Sequence, residues 1–264
     1  MEPGSAGRVK AGRPGSQAIE RALAVLDCFM DGQPEQAVTG VARRLGLSVS
    51  TAHRIVRALV AAGYLAQNPK TDRYYLGRSA VLLGQVAQRA VGLEHVLPVL
   101  EEVSGRTGES VNFGVLDGDA AVIEIRIESK HPLRFERTVG ARVGLYCSAL
   151  GKALLAFNPD PGAVLRRLPP FERHTQYTLT THAALERDLA LTRERGYSLD
   201  EQETQIGVRC IGSPVLDASG FAQSAIAVQI PTVRMPKEKL PELGPLVLDA
   251  AEQIRGLVRP DLRL

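Results

Sequence analysis

The chain is poor in cysteine: its 264 residues hold three, Cys28, Cys147 and Cys210, with no Cys-x-x-Cys pair. An odd number without paired spacing argues against a disulfide framework or a structural zinc site, and fits the reducing cytoplasm. Long apolar runs are missing too. Nothing approaches the roughly 18 consecutive apolar residues of a membrane span, although a hydrophobic content of 44% is normal for a folded protein. The N-terminus has glycines and charges but lacks the apolar centre of a signal peptide. Catalytic signatures are also lacking: there is no Gly-x-Ser-x-Gly, no His-Glu-x-x-His and no Gly-x-Gly-x-x-Gly. The five histidines are scattered without metal-ligand spacing. Gly151-Lys152-Ala153 looks like the end of a phosphate loop, but Tyr146 stands where the first glycine is needed and Ala153 where Ser or Thr is needed. Cys147 and Cys210 sit in apolar, strand-like sequence, where a small buried cysteine is the default. The sequence therefore predicts no catalytic residue, no metal and no cofactor.

What the chain does have begins with an uneven charge distribution. Its formal net charge is +3. Through Gly77 it carries ten Lys/Arg against six Asp/Glu; the remainder carries 22 against 23. A length of 264 residues suits two domains, and the basic excess lies in the first. Neutralising phosphates is the main sequence-independent source of DNA affinity. Within that part, VTGVARRLGLSVSTAHRIVRALVAAGY (38–64) holds two short helical patterns, Thr39 to Leu45 and Val49 to Ala62, broken at Gly46. Gly46 tolerates the positive φ that ends a helix, and Ser48 is suited to cap the next one. In the second pattern Ala52, Ile55, Val56 and Leu59 share one face. The other face presents Ser50, Thr51, His53, Arg54 and Arg57, short hydrogen-bonding groups with cations behind them. A helix in a major groove reads bases with its first turns and holds phosphate with arginines. Arg44 closes the preceding helix with a further cation. Leu65 to Gln67 and Arg73 to Leu76 then read as two strands around the turn Asn68-Pro69-Lys70-Thr71-Asp72. Such a ribbon is a wing, with Lys70 and Arg73 beside the duplex backbone.

At this point a resemblance becomes specific. ERALAVLDCF, VARRLGLSVSTAHRIVRALVAAGYL and RYYLG, in that order, resemble the winged helix-turn-helix of IclR-type transcriptional regulators. Farther on, GARVGLYCSALGKALLA and GYSLDEQETQIGVRCIGSPVLD resemble two signatures of that family's effector domain. The match runs from about Ser16 onward. It implies a double-stranded DNA operator as one partner, a small-molecule effector as another, and a homodimer or a dimer of dimers.

The flanking segments follow. Residues 1–15 read as a disordered basic tail, and Ser16 as the cap of a helix through Met30 with the stripe Ile19, Leu23, Leu26, Met30. Residues 31–36 read as a linker. The winged domain spans 16–78, and an apolar linker helix spans 79–92. That helix must bury itself against its own domain or a second subunit; the resemblance favours the subunit. Residues 93–262 form the effector domain. There the sequence predicts a helix over Leu97 to Arg106 and a hairpin around Asp117-Gly118-Asp119. It predicts a strand over Leu133 to Thr138, and helices over Ala149 to Ala156 and Ala183 to Arg195. A second hairpin around Asp217 to Gly220 and a last helix over Leu243 to Val258 complete the pattern. Antiparallel strands with helices at the margins make an α+β domain, in agreement with the GAF-like antiparallel sheet the resemblance implies.

Ser148 to Lys152 places small residues where a loop turns into a helix. Exposed N–H groups there can bind an anion, and small residues also simply permit close helix–sheet packing. The resemblance makes this loop, at Ala149 and Leu150, one side of a pocket for a small organic molecule, often a carboxylate. It places Asp200, Val208, Cys210, Ala227 and Gln229 on the opposite side. For Val208, Cys210 and Ala227 core packing is an equal reading, whereas a buried Asp200 or Gln229 needs a partner. Some small-oxoacid sensors of the family carry a hydroxyl pair where this chain has Ala227 and Gln229, which puts a glyoxylate-like or pyruvate-like ligand in doubt. The sequence thus points to a metabolite-responsive DNA-binding regulator rather than an enzyme. The alternative is a small-molecule-transforming enzyme domain tethered to a DNA-binding module.

Overall fold

The computed structural model describes residues 16–258 apart from 31, 32 and 34. The basic tail, part of the 31–36 linker and the last residues of the effector domain lie outside this range. The chain divides into two compact units between Ala90 and Val91.

The first unit packs three helices, α1 (Gln17–Asp27), α2 (Val38–Leu45) and α3 (Val49–Ala61), with a two-stranded antiparallel ribbon, β1 (Leu65–Gln67) and β2 (Tyr74–Leu76). Its core is Val25, Cys28, Phe29, Val41, Val56, Leu65 and Tyr74. Gly46 adopts φ +64° and lets the chain leave α2 for α3 in a single tight turn. Ser48 then caps α3, its Oγ accepting the Thr51 N–H at 3.2 Å. Gln36 bridges to Tyr74 and adds a third short edge to the ribbon.

Two expectations for this unit fail. Helix α1 ends at Asp27, short of Met30, and Ser16 Oγ bonds the Glu20 carboxylate at 2.6 Å instead of capping a backbone N–H. The buried side of this region is Val25, Cys28 and Phe29, while Ile19, Leu23 and Met30 are exposed. An amphipathic helix with two apolar faces offers two stripes at the same spacing, and only packing chooses the inner one. Helix α4 (Arg78–Val91) follows and buries no residue; Val81, Leu82, Leu83 and Val86 all stand in the open.

The second unit is a six-stranded antiparallel sheet in the order β5-β4-β3-β8-β7-β6. Its strands are β3 (Ser110–Asp117), β4 (Ala120–Ile127), β5 (Arg142–Gly144), β6 (Ser198–Glu201), β7 (Val208–Leu216) and β8 (Ala222–Pro231). On one face, α5 (Leu93–Thr107) and α9 (Gly244–Ile254) enclose a core around Val111, Phe113, Ile211, Ile226 and Val228. On the other lie α6 (Ala149–Ala156), α7 (Pro161–Arg167) and α8 (His182–Arg195), over Ala121, Ile123, Ala225 and Ala227. The expected strand over Leu133 to Thr138 does not form: those residues are irregular, and the edge strand is β5 instead. Leu133, Phe135 and Arg137 alternate with Arg134, Glu136 and Thr138 as a strand would, but no neighbouring strand pairs with them.

One irregularity decides what the sheet offers. A bulge between Phe113 and Gly114 pairs Phe113 with Ile125 but Gly114 with Ile123, leaving Glu124 as the extra residue. Upstream of it, Ala121 and Ile123 face α6; downstream, Ile125 and Ile127 face the opposite core. Arg126 is thereby turned to the α6 side.

Candidate nucleic-acid interface and effector site

In the first unit, the buried side of α3 is Ala52 and Val56, with Ile55 and Leu59 half-buried. Ser50, His53, Arg54 and Arg57 are exposed on the other side. Thr51 is half-buried and its hydroxyl lies 2.8 Å from that of Ser48, so it is partly engaged by the cap. Arg44 is exposed but reaches back to the Cys28 carbonyl at 3.4 Å, tying the end of α2 to the end of α1.

In the wing, Lys70 and Arg73 are exposed. The wing tip is held by a residue the sequence did not single out. The Glu35 carboxylate accepts hydrogen bonds from Asn68 Nδ2 at 2.5 Å and Thr71 Oγ1 at 2.7 Å. Those bonds favour its charged form and lower its pKa. Asn68 Oδ1 accepts from the Lys70 N–H at 2.9 Å, and Asp72 takes φ +56°. Turn chemistry and one acidic brace therefore aim both cations.

In the second unit, pairing register lays the candidate effector residues of the strands in adjacent rows across one sheet face. Asp200, Cys210, Gln229 and Ser110 are successive partners across β6, β7, β8 and β3. Ser198, Gly212, Ala227, Asn112 and Arg126 make the next row. Helix α6 lies against this face: Ser198 Oγ bonds the Ala149 carbonyl at 2.6 Å, and a Cβ on Gly212 would come within 3.0 Å of the same oxygen. Leu150 covers Gly114 closely enough that a Cβ there would meet its Cδ2 at 2.8 Å. Ala149 thus stands over the row that holds Ala227, and Leu150 over the Gly114 row on one side of it; Cys210 and Gln229 lie in the row on the other side, and Val208 continues the β7 line one step beyond.

Asp200 is fully buried and already served. It accepts the N–H groups of Glu203 and Thr204 and, at 2.6 Å, the Thr204 hydroxyl. It holds the loop after β6, so its contribution to a pocket is shape. Gln229 Oε1 accepts from Arg126 Nη1 at 3.2 Å. The same Nη1 donates to Asn112 Oδ1 at 2.7 Å, and Nη2 donates to Ser110 Oγ and to the Phe135 carbonyl. Burial pulls the Arg126 pKa below the usual guanidinium value. Arg137 lies near enough to affect Arg126, Cys147 and Cys210 electrostatically. Both thiols are pushed up, chiefly by burial, Cys147 to about 12. Neither supplies a thiolate at neutral pH.

Sequence reasoning missed Ser110, Asn112 and Arg126. The test that flagged Asp200 and Gln229, a polar residue amid apolar strand sequence, also applies to Asn112 in SVNFGVL and Arg126 in AVIEIRI. What it lacked was the bulge that puts all of them on one face.

Behind α6 sits a buried ionic cluster. Lys152 has no exposed surface, and its Nζ lies 2.6 Å from Glu203 Oε1 and 2.9 Å from Asp188 Oδ2. Burial raises the Glu203 pKa to about 7 despite the lysine beside it. The first turn of α6 is itself capped, Ser148 Oγ accepting the Gly151 N–H at 3.0 Å. A separate open cleft of about 460 Å³ is lined by residues including Glu109, His131, Arg234 and Glu242. Its main charges are closed on each other, Arg234 binding Glu109 bidentately at 2.6 and 2.7 Å.

Comparison with known proteins agrees with this architecture. Residues 18–69 match the IclR helix-turn-helix domain, and residues 85–255 match the family described as bacterial transcriptional regulator IclR C-terminal. The HTH-type transcriptional regulator BhcR of Paracoccus denitrificans is 37% identical over 243 residues, covering 91% of this chain and 86% of its own. A solved transcriptional regulator from Rhodococcus sp. RHA1 superposes with a TM-score of 0.79 at 29% identity, covering 92% of this chain and 98% of its own. A solved IclR homologue from Microbacterium hydrocarbonoxydans, complexed with 4-hydroxybenzoate, gives the same TM-score at 26% identity, covering 91% and 98%.

Proposed function

This chain belongs to the IclR family of bacterial transcriptional regulators, and from that premise we propose how its two units divide the work. It is a DNA-binding regulator; the alternative of a tethered enzyme has no support among its relatives, which are named as regulators and repressors.

The first unit reads an operator with Ser50, Thr51 and His53 toward base edges. Arg54, Arg57, Lys70 and Arg73 hold the phosphates, and Arg44 supports the end of α2. The observation carrying this reading is α3 itself: it spends its apolar side on the core and leaves a polar, cationic side uncovered, next to a braced wing. Phosphate contacts position such a helix and base contacts specify its site. A second half-site calls for a second copy, and the uncovered apolar residues of α1 and α4 supply a surface for a homodimer. A protein of this kind works in the cytoplasm, beside the DNA.

The second unit binds a small organic acid between α6 and the sheet, at Ala149, Leu150, Val208, Cys210, Ala227 and Gln229, with Asp200 shaping the far wall. A homologue crystallised with 4-hydroxybenzoate supports this class of effector. The effector alters operator affinity only through different affinities for two arrangements of the protein. A thermal-shift screen of small organic acids, followed by operator binding with each hit, tests both halves. A hit that stabilises the protein yet leaves operator affinity unchanged would separate binding from regulation and overturn the coupled reading.

A further inference from the structure

The inner face of the effector unit carries a positive charge that no carboxylate meets by a hydrogen bond. Arg126 is brought there by the bulge at Glu124. Its hydrogen bonds all go to neutral acceptors: Asn112 Oδ1, Gln229 Oε1, Ser110 Oγ and the Phe135 carbonyl. Its Nε is buried and has no hydrogen-bond partner. Two other arginines of this unit are treated differently. Arg234 is closed by the Glu109 carboxylate, and Arg142 by Asp117 and Asp119.

Leaving a half-buried guanidinium against neutral acceptors is costly, because such acceptors satisfy hydrogen bonds and leave the charge uncompensated by them. Glu128 opposes the charge from a distance, and Arg137 and Arg134 add to the local positive potential. The negative groups nearest the rest of the site are already engaged: Asp200 by its own loop, Glu203 and Asp188 by Lys152. Around Arg126 the floor is small and apolar, with Ala227 and Gly212 in the same row and Leu150 above Gly114. The surroundings therefore suit a compact anion with an apolar skeleton, its charged end at Arg126.

Resting on the effector reading above, we propose that Arg126 is the carboxylate anchor of the effector site and makes that site select small organic anions over their neutral analogues. Asn112, Gln229 and Ser110 hold the guanidinium in place for a carboxylate that takes the free Nε–H and supplies a directly bonded counter-charge. Charge-assisted hydrogen bonds of this type are about twice as strong as neutral ones. Loss of the anchor therefore weakens an acid by roughly ten- to one-hundred-fold.

The test uses the full-length protein and three matched probe pairs: acetate and acetamide, benzoate and benzamide, 4-hydroxybenzoate and 4-hydroxybenzamide. Affinities are measured by calorimetry and thermal shift for the natural chain, Arg126→Gln, Arg126→Lys and Ala227→Leu. The expected result is that at least one acid binds the natural chain at least ten-fold more tightly than its amide. In Arg126→Gln that preference falls to about one while amide binding is kept, and Arg126→Lys restores part of it. An arginine that merely braced the strands would lower acid and amide binding together, or lower the melting temperature alone, and either result overturns the proposal. So does the absence of any acid preference in the natural chain. Ala227→Leu fills the floor of the site without touching the charge. If it abolishes both members of a pair that show no acid preference, the pocket stands and the anchor falls. If it leaves a preference intact that Arg126→Gln removes, the anchor stands and the pocket reading falls.

Discussion

Glu203 is a residue whose environment makes it a reporter. Its carboxylate is held by Lys152 at 2.6 Å, yet burial keeps its pKa at about 7 against a usual 4.5. A folded-state pKa above the unfolded one means that the folded protein binds this proton more tightly. Its stabilising effect is therefore complete below the unfolded value and is lost as pH rises toward about 7. The stability of the natural chain relative to Glu203→Gln should fall between about pH 5 and pH 7 and level off above that. Chemical denaturation of both proteins across this range measures it, and a flat difference would refute the assignment. Gln229 gives a second prediction at this scale. Gln229→Leu removes an acceptor of Arg126 and should leave a folded protein that binds its operator with a normal affinity. Its effector response should weaken roughly ten-fold, in keeping with one lost hydrogen bond in a buried site. Gly114 is a residue where space alone decides. A Cβ there would meet the Val122 carbonyl oxygen at 2.3 Å, a backbone atom that cannot swing away. Gly114→Ala should destabilise by about 1–3 kcal/mol, read as a lower denaturation midpoint.

At the scale of elements, α3 and its wing separate two kinds of contact. Arg57 is exposed and away from the Ala52 and Val56 face, so Arg57→Ala should fold normally. It should bind every DNA sequence more weakly and with a salt slope reduced by about one. His53→Ala or Thr51→Ala should instead shift sequence preference, by about 1–3 kcal/mol at the affected base pair. Unchanged operator affinity in all three folded variants would remove this face from consideration. The two-layered helices were readable because their breaks obey local rules: Gly46 and Ser48 act within four residues of themselves. The stripe on α1 was not readable. Ile19, Leu23 and Met30 repeat at helical spacing as well as Val25 and Phe29 do, and which set is buried depends on where α2 and α3 lie. The irregular Leu133 to Thr138 segment teaches the same lesson for strands, since alternation proposes a strand and only a partner with matching hydrogen bonds makes one.

For the molecule as a whole, the exposed apolar residues of α1 and α4 carry the assembly prediction. Ile19, Leu23, Val81, Leu82, Leu83 and Val86 are each more than half exposed, on a chain that buries its other apolar helices. A single soluble chain rarely leaves so much apolar surface uncovered without a use. Leu83→Glu should shift the protein toward monomer in sedimentation at micromolar concentration and weaken operator binding, while each unit still unfolds cooperatively. A natural chain that sediments as a monomer and still binds its operator tightly would exclude the dimer.

By itself the sequence determined the two-part organisation, the helix–glycine–helix and its wing, the two hairpins, and the kinds of residue on the outer side of α3. Each is a local matter: period, cap, turn and charge act over a few residues and are written where they act. It also picked out Asp200 and Gln229 as polar residues out of place. The tertiary structure decided what those residues do, because their partners lie far along the chain. Asp200 bonds its own loop, Gln229 bonds Arg126, 103 residues away, and Lys152 finds Glu203 51 residues on. Arg126 itself needed both scales. Its chemistry is plain in AVIEIRI, but a single extra residue in β4 chose the side of the sheet it serves. Strand faces have a period of two, so one bulge reverses every side chain beyond it.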